Sequence, residues 1–486
     1  MSRLVVVSNR LPTLRRSGSV EEAEAPVGGL ASALLGVLRR SPGGLWFGWN
    51  GKILEAGRPA RPSLRTAGDF DQFGVPLTRL ELQNYYLGYC NQTLWPLLHC
   101  FQDRVRIRLR QELVYRQVQG HFAASLLPYL RQDDVVWVHD YHLMLLGREL
   151  RRMGWTGRIG FFLHTPFPPH DLWQILPAPR DTLEALLDYD VIGFHVQAFL
   201  DNYVSCCRRE LQATLRGSTL TAGGRSQRAD VYPVGIEPAA FLPRRAEKLG
   251  PQPPELLKGA LRGRRLILGV DRLDYTKGIP EKILGFEKFI KRHSIWRRKA
   301  VLVQIASPSR TGVPEYAEQR RQIESLMGRV NGELGEHDWM PIRYLYRSYS
   351  RDFLARLYRE ASVGLVTPLR DGMNLVAKEF VAAQDVRSPG VLVLSRSAGA
   401  AQEMREAVTV NPFIPADVAE GIAKALSMPL ERRREIHSAL LERVMAGTAT
   451  EWGRRFVEDL SGSGARAMAR EPERLRRPRL STPVPT

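Results

Sequence analysis

"LILGVDRLDYTKGIPEK", residues 266–282, passes from a short apolar run through a glycine-containing turn into the start of a helical pattern. An apolar run of this length, bounded by turn residues, is expected to be a strand buried on both faces. The same punctuation recurs along the chain. In the first half it gives "LVVVSN" (4–9), "VVWVHD" (135–140), "IGFFLH" (159–164), "VIGFH" (191–195) and "DVYPVGI" (230–236). In the second half it gives "LILGV" (266–270), "VLVQIA" (301–306), "IRYLY" (342–346), "VGLVTP" (363–368) and "GVLVLS" (390–395). Between such runs lie helical patterns: Val114, Val118, Phe122 and Leu126 repeat at the spacing that gives a helix one buried stripe. Alternating strand and helix predict an α/β fold built on parallel sheets.

The length predicts two such units, because 486 residues exceed what one core of about 250–300 residues can organise. The division is expected near "VYPVGIEPAAFLPRRAEKLGPQPPE" (231–255), where a strand gives way to a proline-rich polar stretch. This sets a first domain over 1–236 and a second over 237–445. The last helical stretch, "TEWGRRFVEDL" (450–460), could pack on either. From residue 462 to 486 the composition is that of a disordered basic tail.

A hydrophobic fraction of 44% and nine tryptophans supply material for both cores. The four cysteines, Cys90, Cys100, Cys206 and Cys207, form no C-x-x-C pattern and are expected to be ordinary reduced thiols. No apolar run approaches the ~20 residues of a membrane span, and the start lacks a secretory pattern, so no membrane association and a cytoplasmic location are expected. A formal net charge of +19 fits nucleic acid, an anionic surface or anionic small substrates. Part of it is local, since 461–486 hold six arginines against two glutamates. Basic runs interleaved with aromatics are absent, which argues against nucleic acid.

In open parallel sheets ligands collect at the carboxyl ends of strands. Arg272 and Lys277 sit there, and two cations on a glycine turn suit a diphosphate. The spacing alone equally allows a surface pair neutralised by Asp271 and Asp274. "VTPLRDGMNLVAKEF" adds Asp371 and a glycine turn opening a helix, whose free N–H groups attract anions. Glu379, farther along that helix, is suited to accept hydrogen bonds from vicinal sugar hydroxyls. The bland alternatives are Asp371 as a helix cap and Glu379 as a solvated residue. Taken together these residues favour a nucleotide-sugar site.

His139, Asp140, His142 and His164 end two predicted strands of the first half, without the spacing of a zinc site. "DYD" (188–190) leads into a strand's amino end and reads as a turn. Arg10 follows the first strand, and Gly28-Gly29 opens a helix where a phosphate could approach the backbone. Tyr86 and Trp95 read as core aromatics on composition alone.

"SNRLP", "GGLASAL", "WFGWNGK", "NQTLWPLLH", "WVHDYHLM", "FFLHTPFP", "VYPVGIEP", "DRLDYTKGI", "SPSRTGVPEY", "GLVTPLRDGMNLVAKEF" and "GVLVLS" resemble, in this order, the motif series of trehalose-6-phosphate synthases, retaining GT-B enzymes of glycosyltransferase family 20. The resemblance runs from residue 1 to about 460. It implies two Rossmann-like domains with a cleft between them and a C-terminal helix, 446–461, returning to the first. It implies transfer of glucose from UDP-glucose, or another nucleotide-glucose, to glucose-6-phosphate with retained α configuration, and neither cofactor nor metal. The family's catalytic positions match Arg272, Lys277, Asp371 and His164. Its donor contacts match Gly29, Arg272, Lys277, Asp371, Met373, Asn374, Leu375, Val376 and Glu379. Its acceptor contacts match Arg10, Tyr86, Trp95 and Arg310 for the phosphate and Asp140 and Trp49 for the sugar. No enzymic nucleophile is expected.

Variation around "YYLGYCNQTLW", "SPSRTGV" and "GFHVQAFLDNYVSCC" leaves the donor base open between uridine, adenosine and guanosine. It also leaves glucosylglycerol-phosphate synthesis, or another acceptor, as the nearest alternative. A catalytically idle basic or nucleic-acid-binding protein is the distant one. A homo-oligomer is compatible with all of these.

Overall fold

A computed structural model of the chain describes residues 2–17, 20–24, 29–39, 41, 43–55, 63–67, 70–242, 263–310 and 312–462. Gly28 and the expected tail beyond Gly462 lie outside the described residues.

Two sheets carry the fold. The first has ten strands, and its central seven are mutually parallel: Phe70–Thr78, Gly44–Leu54, Leu4–Arg10, Val135–His139, Arg158–Phe162, Val191–Phe194 and Arg225–Val231, in spatial order. Antiparallel strands close each edge, Ser63–Ala67 on one side and Thr219–Ala222 with Thr214–Arg216 on the other. The second sheet has six strands, all parallel, in the order Ile342–Leu345, Ala300–Ser307, Arg265–Arg272, Val363–Val366, Val391–Ser395 and Val408–Val410.

Each parallel sheet grows outward from its first strand in one direction and then restarts on that strand's other flank. In the second sheet the chain moves from Arg265–Arg272 to its two neighbours on one side, then crosses to Val363–Val366 on the other. In the first it moves from Leu4–Arg10 outward to Phe70–Thr78, then crosses to Val135–His139. At such reversals the two outgoing connections diverge and leave a crevice at the carboxyl ends of the adjacent strands. The residues bordering these crevices are Arg10 and Asp140 in the first sheet, and Arg272 and the loop after Val366 in the second.

Burial on both faces explains why the sequence of these strands is apolar throughout. Val5 and Val7 join Val136, Val138, Ile159 and Phe161 in one core. Leu4 and Val6, pointing the other way, join Trp46, Trp137 and Phe162 in another. Helix Leu109–Leu126 covers the first face, and Val114, Val118, Phe122 and Leu126 are all buried in it.

The last helix, Ala449–Gly462, covers the second face of the first sheet. Phe456 stacks on Trp137 at 4.6 Å between ring centres and fits over Gly160 and Gly193, where a Cβ would lie 2.7 and 2.9 Å from its ring. Tyr232 donates to Asp459 at 2.8 Å, and the Ala449 N–H donates to Ile236 O at 3.0 Å.

Several boundaries differ from the sequence reading. The strand expected at 230–236 ends at Val231, and its body is the polar stretch "RSQRADV". It pairs across a Gly223-Gly224 turn, both residues at positive φ, with Thr219–Ala222, the strand next to the edge, whose side chains alternate between exposed and buried. The edge strands, Gly44–Leu54 and Phe70–Thr78 were not anticipated. Nor was the π-helix over Leu82–Leu94, a rare geometry that occurs frequently at functional sites. The turn expected at 188–190 is present, and Asp188 and Asp190 there pair with Arg148 and Arg151. All four cysteines are free thiols. Among the described residues no helix is long and apolar enough to cross a membrane.

Candidate active site

The crevice of the second sheet is lined by charge. After strand Arg265–Arg272 comes a single turn, Tyr275–Lys277, then Gly278 at φ 62°, then helix Ile279–Arg292. The left-handed residue reverses the chain tightly enough to aim Lys277 back over the sheet. Its Nζ lies 2.5 Å from Asp371 Oδ2, and Asn374 donates to the same oxygen at 3.0 Å. Burial pushes the Asp371 carboxyl up, but Lys277, His99 and Arg272 outweigh it and hold the group below its ordinary value. Asp371 is therefore a carboxylate tied to a lysine, and the residue capping helix Leu375–Ala383 is Asn374, in the left-handed conformation at φ 76°. The first turn of that helix, Leu375 and Val376 included, presents N–H groups with no intrahelical acceptor.

The neutralising partners expected for Arg272 and Lys277 go elsewhere. Asp271 pairs with the fully buried Lys282 at 2.5 Å, and Asp274 pairs with Arg310 at 2.8 Å. Among the described residues Arg272 makes no ion pair or hydrogen bond through its guanidinium, and it approaches the Trp95 ring at 5.7 Å. Glu379 is not a solvated helix residue: Tyr358 donates to it at 3.1 Å, and burial raises its pKa.

The crevice of the first sheet is lined by aromatics ending in arginines. Arg10 lies 5.1 Å from the Trp49 ring, Trp49 is 6.0 Å from Tyr86, and Tyr86 stacks on His142 at 5.9 Å. From His142 the series continues to Tyr141 at 3.9 Å, then Trp95 at 5.7 Å, and finally Arg310, whose guanidinium sits 3.8 Å from the Trp95 ring. The π-helix, followed by Pro96 in the next turn, delivers Tyr86 and Trp95 to this wall. Tyr86 and Trp95 thus line a cleft besides contributing to the core. Tyr141 and Tyr316, which hold Arg310 through their hydroxyls, and Asp274 were missed as site residues. Asp274 and Tyr141 carried a sequence signal, each lying two residues beyond a strand end, whereas Tyr316 carried none.

Asp140 ends strand Val135–His139 at φ 73° and ψ 165°, backbone territory that side chains seldom enter and that costs about 1–3 kcal/mol. Its carboxylate accepts from the His164 N–H at 3.2 Å. Burial pushes its pKa up to about 6, against the opposing pull of the Tyr141 and His164 N–H groups, Arg310 and Arg272. His164 contacts His139, Nε2 to Nδ1, at 3.1 Å, and burial, with His195 and His139 adjoining, pushes its pKa well below the usual histidine value. His164 is neutral at ordinary pH.

The crevices face each other. Arg310, from the second half, bonds Tyr141 and lies on Trp95, both from the first. Gly372 presses on the His164 backbone so closely that a Cβ there would lie 2.0 Å from the carbonyl oxygen. Gly29 opens helix Gly29–Leu38, which packs on the last helix. Met373 is buried in the loop that carries Asp371. Among the described residues no group of three or more histidines, cysteines or carboxylates is placed to hold a metal ion.

Residues 2–462 match the family described as Glycosyltransferase family 20. The chain belongs to that family. A trehalose-6-phosphate synthase of Sinorhizobium fredii is 44% identical over 467 residues, covering 96% of this chain and all of the relative. An alpha,alpha-trehalose-phosphate synthase (UDP-forming) of Burkholderia xenovorans, solved with glucose-6-phosphate, superposes with a TM-score of 0.88 at 40% identity, covering 95% of this chain and 100% of that one. An E. coli structure with UDP-2-fluoro glucose bound gives a TM-score of 0.87 at 40% identity, covering 95% and 99%. This family 20 glycosyltransferase has the GT-B fold expected from its motifs: two parallel-sheet units whose ligand-binding edges enclose one cleft.

Proposed function

We propose that the enzyme transfers glucose from UDP-glucose to glucose-6-phosphate, retaining the α configuration, and releases trehalose-6-phosphate and UDP. The observation that carries this reading is the meeting of two cationic sites in one cleft: Arg272 with Lys277 on the second unit, and Arg10 on the first, joined by Arg310, which reaches from the second unit onto Trp95 and Tyr141 of the first. A glycosyl donor with a diphosphate leaving group and an acceptor with one phosphate need that arrangement. The names of the relatives support it, including one UDP-forming synthase solved with glucose-6-phosphate.

In this reading the second unit, 237–445, binds the donor and the first, 1–236, binds the acceptor, with the helix expected at 446–461, which runs over Ala449–Gly462, tying them together. Arg272 and Lys277 bind the diphosphate, and the backbone of Met373, Asn374, Leu375 and Val376 with Gly29 closes around it. Asp371 and His164 hold the glucose to be transferred, and Glu379 accepts from the ribose hydroxyls. Arg10, Tyr86, Trp95 and Arg310 grip the acceptor phosphate, while Asp140 and Trp49 orient its sugar. The bond from glucose C1 to the diphosphate oxygen breaks as C1 bonds the acceptor's anomeric oxygen on the same face. The acceptor proton passes to the departing phosphate oxygen, so no carboxylate pair of the retaining-glycosidase kind is needed. Lys277 and Arg272 stabilise the charge growing on the diphosphate, a gain realised in the transition state. Asp371, already bonded to Lys277 and Asn374, serves as an orienting carboxylate. The enzyme works in the cytoplasm.

The test is a matrix of UDP-, ADP- and GDP-glucose against glucose-6-phosphate and glycerol-3-phosphate, with product identification. UDP release that depends on glucose-6-phosphate, with trehalose-6-phosphate formed, is the expected result. Product only with glycerol-3-phosphate, or none with any pair, refutes the assignment.

A further inference from the structure

Trp95 stands at an unusual crossing. Arg310, on the acceptor wall, lies 3.8 Å from its ring centre, and Arg272, beside the diphosphate turn, lies 5.7 Å away. Both distances fall within the ~6 Å over which an aromatic face attracts a cation. The ring is fixed from behind by His99, whose ring centre is 4.1 Å away and whose Nδ1 lies 2.8 Å from the Trp95 carbonyl oxygen. With Nδ1 donating to that carbonyl, His99 is neutral, and burial keeps it so by lowering its pKa to about 4. It adds no further positive charge beside the arginines. The indole Nε1 is buried with no hydrogen-bond partner among the described residues, and within the chain it is the aromatic ring that meets both arginines.

We infer that Trp95 is a positioning residue for both substrates, a single cation–π platform that orients the donor-side Arg272 as well as the acceptor-side Arg310, with His99 holding the platform in place. This rests on the donor and acceptor reading above and extends it, since Trp95 otherwise belongs to the acceptor wall alone. The physical need is clear. Arg272 has no carboxylate in ion-pair or hydrogen-bond contact among the described residues, its pull on Asp371, Asp274 and Asp140 being exerted at longer range, whereas Arg310 is held directly by Asp274, Tyr141 and Tyr316. Without such partners a guanidinium keeps its rotameric freedom and loses it only on binding. An aromatic face orients the guanidinium while leaving its five N–H donors free for phosphate oxygens.

The test measures UDP and glucose-6-phosphate separately by titration calorimetry on the full chain and on Trp95→Leu, Trp95→Phe, His99→Ala and Trp49→Leu, each checked for a cooperative melt. Trp95→Leu is expected to weaken glucose-6-phosphate by about tenfold and UDP by about threefold, the nearer cation losing more. Trp95→Phe, which keeps a weaker aromatic face and guards against a folding failure of the leucine variant, shows smaller losses of both. His99→Ala lowers both while leaving the indole present. Trp49→Leu, which removes a ring of the same wall near Arg10 only, weakens glucose-6-phosphate and leaves UDP unchanged. UDP affinity unaltered in both Trp95 variants overturns the inference, as does loss of UDP affinity in Trp49→Leu to the same degree. Wild-type protein that binds neither UDP nor glucose-6-phosphate would instead refute the proposed function, so the two failures are distinguishable.

Discussion

Gly372→Ala tests whether the closely packed cleft is the working form of the enzyme. A Cβ at 372 would lie 2.0 Å from the His164 carbonyl oxygen and 3.0 Å from its carbon, whereas ordinary contact begins near 3.4 Å. The obstacle is backbone, so it cannot swing aside like the tip of a side chain. Retreat is blocked as well, because the Gly372 carbonyl is itself packed so that a Cβ at Gly399 would come within 2.0 Å of it. The methyl group therefore has to move the Asp371–Asn374 loop or part the two units by about 1.4 Å, the difference between 2.0 and 3.4 Å. Overpacking of this kind costs about 1–3 kcal/mol of stability, which the protein survives. Catalysis is more sensitive, since a ~1 Å misplacement of positioned groups costs on the order of 10²-fold in rate. Gly372→Ala is thus expected to fold and melt cooperatively while initial rates of UDP release fall by about 10²-fold. Turnover within about threefold of wild type, less than 1 kcal/mol of barrier, would refute the argument that His164 and Asp371 meet across this contact during the reaction.

Lys277→Ala removes the cation on Asp371 and is expected to lower turnover by more than ~10²-fold, as loss of one oxyanion donor does, measured under saturating substrates. Glu379→Ala should raise the donor KM by about 10- to 100-fold, the worth of a charged hydrogen bond, with the acceptor KM unchanged in steady-state kinetics. Asp140 is raised from its ordinary 3.8 to about 6, so the folded chain holds the extra proton between those values and stability falls as pH rises through that window. Asp140→Asn abolishes that cost: urea melts should show it more stable than wild type above pH 6, by up to about 3 kcal/mol, and no more stable below pH 4, with acceptor turnover reduced. Phe456→Ala leaves a cavity over Gly160 and Gly193 and should cost about 3–5 kcal/mol in the same melts.

Much of the candidate site was legible locally. Arg272, Lys277, Asp371 and Asp140 announce themselves because polar residues directly after an apolar run mark a strand's carboxyl end. The aromatic wall did not: the residues from Leu82 to Leu94 carry no period that separates a π-helix from an α-helix, and only packing shows Tyr86 and Trp95 facing a cleft. The partners of Asp271 and Asp274 were invisible for a similar reason, because the nearest cations in sequence are not the nearest in space.

By itself the sequence determined most of the buried strands, though not Gly44–Leu54 or Phe70–Thr78, the amphipathic helix of Val114 and Leu126, and two units, since these follow from spacing and hydrophobicity over a few residues. The tertiary structure decided which strands are neighbours. That choice sets Arg265–Arg272 beside Val363–Val366 and Leu4–Arg10 beside Val135–His139, and opens the crevices there. It also laid the last helix on Trp137, Gly160 and Gly193. The physical reason is that burial favours an apolar strand in any interior position, so its local pattern carries no address. The address comes from long-range fit between surfaces: a phenylalanine that needs two glycines beneath it, or an arginine that needs a distant carboxylate and an indole.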